Sequence, residues 1–172
     1  MISVIAAVSD NGIVGYKNRI PWSKDQVPRD LPHFMRQTTR GIIIKGRNTA
    51  ESMGFVPLKN RINVIVSKTL GSKEGFIILP SFTEALHFAI DEAVGKENFP
   101  ISAIGGYKIW EEALESGHVD RALITRVHNE FEGDTFFPEK ILEENFHIFY
   151  KDKWVEKDEG KLNATFEVWK KR

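Results

Sequence analysis

The chain has 172 residues, 41% of them hydrophobic and 28% charged, a balance that suits one globular domain long enough to bury a core. Its 24 basic and 24 acidic residues cancel, which excludes a bulk electrostatic footprint for nucleic acid or an acidic membrane. Cysteine is absent, so disulfides and thiolate chemistry are excluded, and the expected location is the cytoplasm.

The first apolar run, Ile2–Val8, is too short for a membrane span and carries neither a basic leader nor a cleavage pattern, so it reads as a buried strand. Within "PWSKDQVPRDLPHF" an amphipathic helix begins, with Asp30 at its start and Leu31, Phe34 and Thr38 as its expected inner face. Further strands are expected at Ile42–Ile44, Ile62–Val66, Phe76–Leu79, Ile101–Ile104, Ala122–Val127, Phe146–Tyr150 and Thr165–Trp169. Between them, "PSFTEALHFAIDEAV" spaces Leu86, Ala89, Ile90 and Ala93 as a helix with Ser81 and Glu84 as its capping box. "YKIWEEALESG" places Ile109, Trp110, Ala113 and Leu114 on one stripe and Gly117 at its stop. Strand and helix alternate as far as Val127, then two strands are joined by loop alone. The pattern predicts an α/β sheet with crossover helices and an antiparallel edge hairpin.

Asp30 has two readings on spacing alone. It caps the helix, where the dipole welcomes a carboxylate, or it sits in an apolar cleft and grips a ligand's paired N–H donors. In "IGGYKIW" a strand runs through Gly105 and Gly106 into a helix, which suits close approach of a phosphate, although GxGxxG is not present. In "IIIKGRNTAESMG" Gly46 supplies a tight turn, Arg47 a guanidinium fork, and Thr49 an expected cap for a short helix. "VIVSKT" adds Ser67 and Lys68 at the next strand end, so the pair of turns suits a phosphate monoester or, equally, ordinary surface charge. Histidines 33, 87, 118, 128 and 147 show no metal spacing and are expected to be scattered surface or interfacial imidazoles; no metal is expected. There is no GxSxG, no P-loop and no Cys–His pair.

Singly these signals are weak, but their order is specific. "ISVIAAVSDNGIVGYKNRIPW", "DLPHFMRQTT", "GRNTAESMG", "NRINVIVSK", "IGGYKIW" and "EFEGDTFFP" together resemble dihydrofolate reductase, from Met1 to the closing "FEVWKKR". The resemblance implies a single domain over residues 1–172, with a central eight-stranded, mostly parallel sheet and four flanking helices. It implies NADPH-dependent reduction of 7,8-dihydrofolate for one-carbon metabolism and binding of antifolate inhibitors at the same cleft; a monomer is expected because the sequence shows no exposed apolar seam. On the substrate side Asp30 resembles the carboxylate that holds the pterin's N3 and 2-amino group, and Thr125 the threonine bonded to it. Trp22 resembles the tryptophan that holds a water beside that carboxylate, and the reacting proton is expected from a water admitted near Ile20. Ile5 and Ile104 would flank the ring with carbonyls, Ala7, Leu31, Phe34, Met53 and Leu58 would line its walls, and Arg61 would grip the tail's α-carboxylate.

On the cofactor side the resemblance places Ala7 and Val14 at the carboxamide, and Gly15 to Ile20, Asn18 among them, as a closing loop steadied by Asp134. Gly105 and Gly106 match a pair joined by a cis peptide, followed by Tyr107, Lys108 and Ile109 at the helix start. Gly46, Asn48 and Thr49 join them, while Arg47, Ser67 and Lys68 match the cluster around the 2′-phosphate. Rival readings are a riboflavin-pathway reductase of the same fold and a non-catalytic folate or dinucleotide binder. Four features depart from the family pattern: the longer "SKDQVPR", Tyr107 after the glycines, Ala50 with Phe55, and Lys45 within an apolar strand.

Overall fold

Val and Ile pack well on a pleated surface covered from both sides, and the β-branched runs become the interior of one sheet. The computed structural model describes residues 1–172. Its strands are β1 (Ile2–Ser9), β2 (Ile13–Gly15), β3 (Ile42–Gly46), β4 (Ile62–Val66), β5 (Ile77–Leu79), β6 (Ile101–Ala103), β7 (Arg121–Val127), β8 (Thr135–Phe136), β9 (Phe146–Trp154) and β10 (Ala164–Lys171). Its helices are α1 (Asp30–Thr38), α2 (Arg47–Ser52), α3 (Phe82–Ala93), α4 (Tyr107–Glu115) and α5 (Glu139–Asn145).

The main sheet has the expected eight strands, in the order β5-β4-β3-β6-β1-β7-β10-β9. Pairs from β5 to β7 are parallel; β10 runs antiparallel to both β7 and β9 and forms the expected edge hairpin. The larger core packs Val4, Ile42, Ile44 and Ile124 against Leu86 of α3 and Trp110 and Leu114 of α4. A smaller core joins Trp22, Val27, Leu123, Trp154 and Phe166.

Three elements were not expected. Helix α5, a fifth beside the expected four, buries Leu142, and β2 pairs with β8 in a separate antiparallel ribbon. The α3 cap differs in detail: the Ser81 hydroxyl accepts from the Glu84 N–H and donates to the Glu84 carboxylate, both at 3.2 Å, so the return bond avoids the Ser81 backbone. Thr49 is no cap, because α2 already begins at Arg47 with Gly46 before it. Gly117, at φ 76°, lies two residues past the end of α4, as a left-handed stop requires.

Candidate active site

Helix α1 begins at Asp30 after a segment pinned by Ser23 and Gln26, which bond to one another's side chains and backbone N–H groups. That longer segment is tied down rather than loose: Leu162 N–H donates to Gln26 O at 2.8 Å, Lys161 Nζ donates to Asp25 O, and Val27 is buried. The side chain of Asp30 makes no capping bond. The covered residues of α1 are His33, Phe34, Gln37 and Thr38, while Leu31 is 50% exposed, which corrects the expected inner face. At about 100° per residue the covered arc centres within roughly 20° of Asp30, so the carboxylate stands amid the docking face and not at its rim. The cause is His33, whose ring lies 4.1 Å from the Phe166 ring and 5.4 Å from that of Trp154. It is therefore no surface imidazole; burial lowers its pKa and leaves its Nε2 without a partner.

Burial raises the pKa of Asp30, and the Thr125 hydroxyl opposes the shift. Thr125 is buried on β7, directly across from Ala7 on β1. Trp22 is buried with its ring 5.3 Å from that of Phe131. The Ile5 carbonyl, expected to face a ligand, accepts from Trp110 Nε1 at 3.1 Å. Ile104 follows β6, and its N–H donates to Ile44 O. Met53, Leu58 and Phe34 are half-buried apolar residues, as a cleft wall needs.

Arg61 is held in one pose. Its Nε donates to Thr38 Oγ1 at 2.8 Å, Nη1 to Lys59 O at 2.8 Å and Nη2 to Met35 O at 3.2 Å. Burial lowers its pKa. Asn63, which sequence reasoning missed, clamps the same segment: it accepts from Leu58 N–H and donates to Leu58 O and Arg61 O. A buried Asn inside an apolar strand run was the available signal.

The glycine turns lie side by side. Gly46 N–H donates to Gly105 O at 2.8 Å, and Gly105–Gly106 is a cis peptide. Gly105 has φ 122°, and a Cβ there would meet the Trp110 ring at 2.8 Å, so only glycine fits. Helix α4 opens at Gly106 with no side-chain cap, leaving the first N–H groups of Tyr107, Lys108 and Ile109 free to bind an anion. The Ile109 side chain is buried in the core, so this residue offers a ligand its backbone only. Tyr107 finds room by being 41% exposed. Thr49 Oγ1 stands beside Gly106, while Arg47, Asn48 and Lys68 are exposed. Arg47 Nη1 meets Thr69 Oγ1 at 3.3 Å, and Ser67 Oγ accepts from Thr69 and Leu70 N–H groups; Thr69 is a second residue sequence reasoning missed. This donor set, with the uncapped helix start beside it, fits a phosphorylated dinucleotide.

The expected closing loop is a tight hairpin. Tyr16 and Arg19 exchange backbone bonds around Lys17 and Asn18, both at positive φ. Lys17 N–H donates to Asp134 Oδ2 at 3.0 Å, and Asp134 N–H donates to Gly15 O at 3.0 Å. The backbone bond from Lys17, then that from the Thr135 hydroxyl, lowers the Asp134 pKa. Val14 packs against the main core, and Ile20 is 60% exposed.

Fold and cleft define an α/β protein whose glycine turns and phosphate-suited groups gather at the carboxyl ends of parallel strands β3, β4 and β6. The family model described as dihydrofolate reductase matches residues 1–171. The chain is 34% identical over 167 residues to the dihydrofolate reductase of Buchnera aphidicola subsp. Acyrthosiphon pisum, covering 97% of each chain. It is 32% identical over 173 residues to that of Bacillus subtilis, covering 100% of this chain and 95% of the relative. It is also 33% identical to the bifunctional dihydrofolate reductase-thymidylate synthase of Paramecium tetraurelia, spanning 96% of this chain but 33% of that longer protein. The solved dihydrofolate reductase of Enterococcus faecalis, complexed with NADP(H) and RAB-propyl, superposes with a TM-score of 0.86 at 27% identity, covering 100% of this chain and 96% of the other. The chain belongs to the dihydrofolate reductase family.

Proposed function

We propose that the chain reduces 7,8-dihydrofolate to 5,6,7,8-tetrahydrofolate with NADPH, using the residues assembled above. The observation that carries this reading is the half-buried Asp30 carboxylate opposed by Thr125, with Arg61 held near the far end of the same helix. An ionised Asp30 accepts the pterin's N3–H and 2-amino hydrogens as a fork, and Arg61 pairs with the tail carboxylate. The apolar residues Leu31, Phe34, Met53 and Leu58 enclose the ring and its linker.

Arg47, Ser67 and Lys68, with Thr69, hold the 2′-phosphate. Gly46, Gly105, Gly106 and the start of α4 hold the pyrophosphate, and Ala7 and Val14 meet the carboxamide. NADPH, when bound, supplies the hydride that pterin C6 receives. Asp30 orients the ring and makes N5 more basic, and a water admitted beside Ile20 protonates N5. The hairpin Gly15–Ile20, held by Asp134, excludes bulk water from the reacting atoms. A single domain acting as a cytoplasmic monomer that binds antifolates in the same cleft follows from this reading; no helix is long and apolar enough to cross a membrane.

The test is to mix the protein with NADPH and dihydrofolate and follow loss of the reduced nicotinamide's absorbance, with NADH as control. Rapid loss with NADPH supports the reading. No loss, or turnover only of a riboflavin-pathway substrate, overturns it.

A further inference from the structure

Lys45 is the one charged residue of the otherwise apolar strand β3, next to its last residue, and the reaction outlined above makes no use of it. It is fully buried, the largest such side chain in the molecule. Along β3, Ile42 and Ile44 face the main core, so alternation turns Ile43 and Lys45 to the opposite side of the sheet. Parallel pairing with β4 puts Asn63 and Ile65 on that same side. Lys45 Nζ meets only Met53 Sδ, at 3.8 Å, and lies 5.3 Å from the centre of the Phe76 ring. It enters no salt bridge. The elements around it present Asn63, Ile65, Met53 and Phe76, and the one charged group acting on it is Arg61, of like sign. Burial first, then Arg61, bring its pKa down from 10.5 to about 8.

An ammonium buried without an anion costs stability, and within the free protein nothing offsets it. Two of its neighbours belong to the proposed substrate cleft: Met53, assigned to the wall around ring and linker, touches it, and Arg61, assigned to the tail carboxylate and anchored by Asn63, repels it. We infer that Lys45 is a positioning residue for the substrate's anionic tail, a second cation behind Arg61 whose counter-charge arrives with the ligand. This inference rests on the dihydrofolate reading of the cleft. The chain then selects dihydropterins that bear a carboxylate tail over those that lack one. Tail binding favours the charged amine, so the preference is full while Lys45 is protonated and declines as pH rises through about 8.

The experiment compares dissociation constants for dihydrofolate and for 6,7-dimethyl-7,8-dihydropterin, which has no tail, by quenching of tryptophan fluorescence. Wild type and Lys45→Met are titrated from about pH 7 to about pH 9.5, a range that brackets the amine. Ring titration is common to both ligands and cancels in their ratio. Wild type is expected to lose its preference for dihydrofolate roughly five- to tenfold over this range, the attraction of two charges at an effective protein dielectric. Lys45→Met is expected to start at the reduced preference and stay flat. A flat wild-type preference, or equal loss of both ligands in Lys45→Met, overturns the inference and leaves the dihydrofolate reading intact. Failure of wild type to bind dihydrofolate at all overturns both.

Discussion

Lys45→Met exchanges a buried ammonium for a thioether of similar length and removes a charge that the interior does not pair. In the unfolded chain the amine titrates near 10.5, and in the folded protein at about 8. At about 1.4 kcal/mol per pH unit, keeping it charged in the interior costs on the order of 3 kcal/mol at neutral pH. Between the two values the unfolded chain binds the extra proton, so wild-type stability gains from rising pH through that window. Below about pH 8 the gain is absent; above 10.5 it is complete. Lys45→Met therefore unfolds at higher urea than wild type at neutral pH, by about 2–3 kcal/mol, with the gap closing toward pH 10.5. Urea titrations at a series of pH values, read by tryptophan fluorescence, measure the gap directly. Parallel pH profiles for the two proteins, or a wild type more stable at neutral pH, refute the reasoning. The substitution thus strengthens the fold while weakening recognition of the tail.

Asp30→Asn shows the same opposition at the ring end. Because burial raises the folded pKa, Asp30's contribution to stability is complete below 3.8 and lost as pH rises through its folded value. The variant is expected to melt above wild type at neutral pH and level with it in acid, while turning over dihydrofolate roughly a hundredfold or more slowly; near-normal turnover ends the proposed role. Arg47→Ala is expected to weaken NADPH by roughly 1–3 kcal/mol and NADH hardly at all, and equal effects in cofactor titrations would put the 2′-phosphate elsewhere. Asn63→Ala removes the clamp on Leu58 and Arg61, so it should cost about 2–4 kcal/mol of stability and raise KM for dihydrofolate but not for a tail-less dihydropterin. Gly133→Ala places a Cβ 2.3 Å from Ile13 Cγ2 and 2.8 Å from Gly15 O, prying β8 from β2. We expect about 1–3 kcal/mol lost in thermal melts and looser NADPH binding, and no change in either would dissociate the ribbon from the cofactor site.

Every strand of the main sheet was legible, because runs such as Ile42–Ile44 and Ile62–Val66 are β-branched and continuous. The β2–β8 ribbon was not: strands of three and two residues are too short for any period to emerge. Helix α5 escaped for a similar reason, as seven residues with one buried side chain carry little amphipathic signal. Asp30 and the glycine turns were readable as candidate chemistry from the residues themselves, and Arg61 only through the family resemblance. Thr69 and Asn63 were not, since each works through a backbone or side-chain bond that only the folded register creates. Leu31 was misread because an apolar residue at helical spacing suggests burial, whereas His33 stacking on Phe166 rotates the docking face away from it. Lys45 lay open as an anomaly, but its full burial depends on the Met53 and Phe76 side chains that close over it.

Strand β1 precedes every other strand along the chain yet occupies the middle of the sheet, flanked by β6 and β7. Its register partners, Ile101–Ala103 and Arg121–Val127, are translated about a hundred residues later. Throughout that interval a nascent "ISVIAAV" has no neighbour to hydrogen-bond and exposes apolar side chains to whatever is nearby. Such distant pairing slows closure of the native topology and makes the growing polypeptide a client for chaperones until α4 and β7 have emerged. A nascent chain released before Arg121 is therefore expected to be incomplete and protease-sensitive, and one that includes the β9–β10 hairpin resistant.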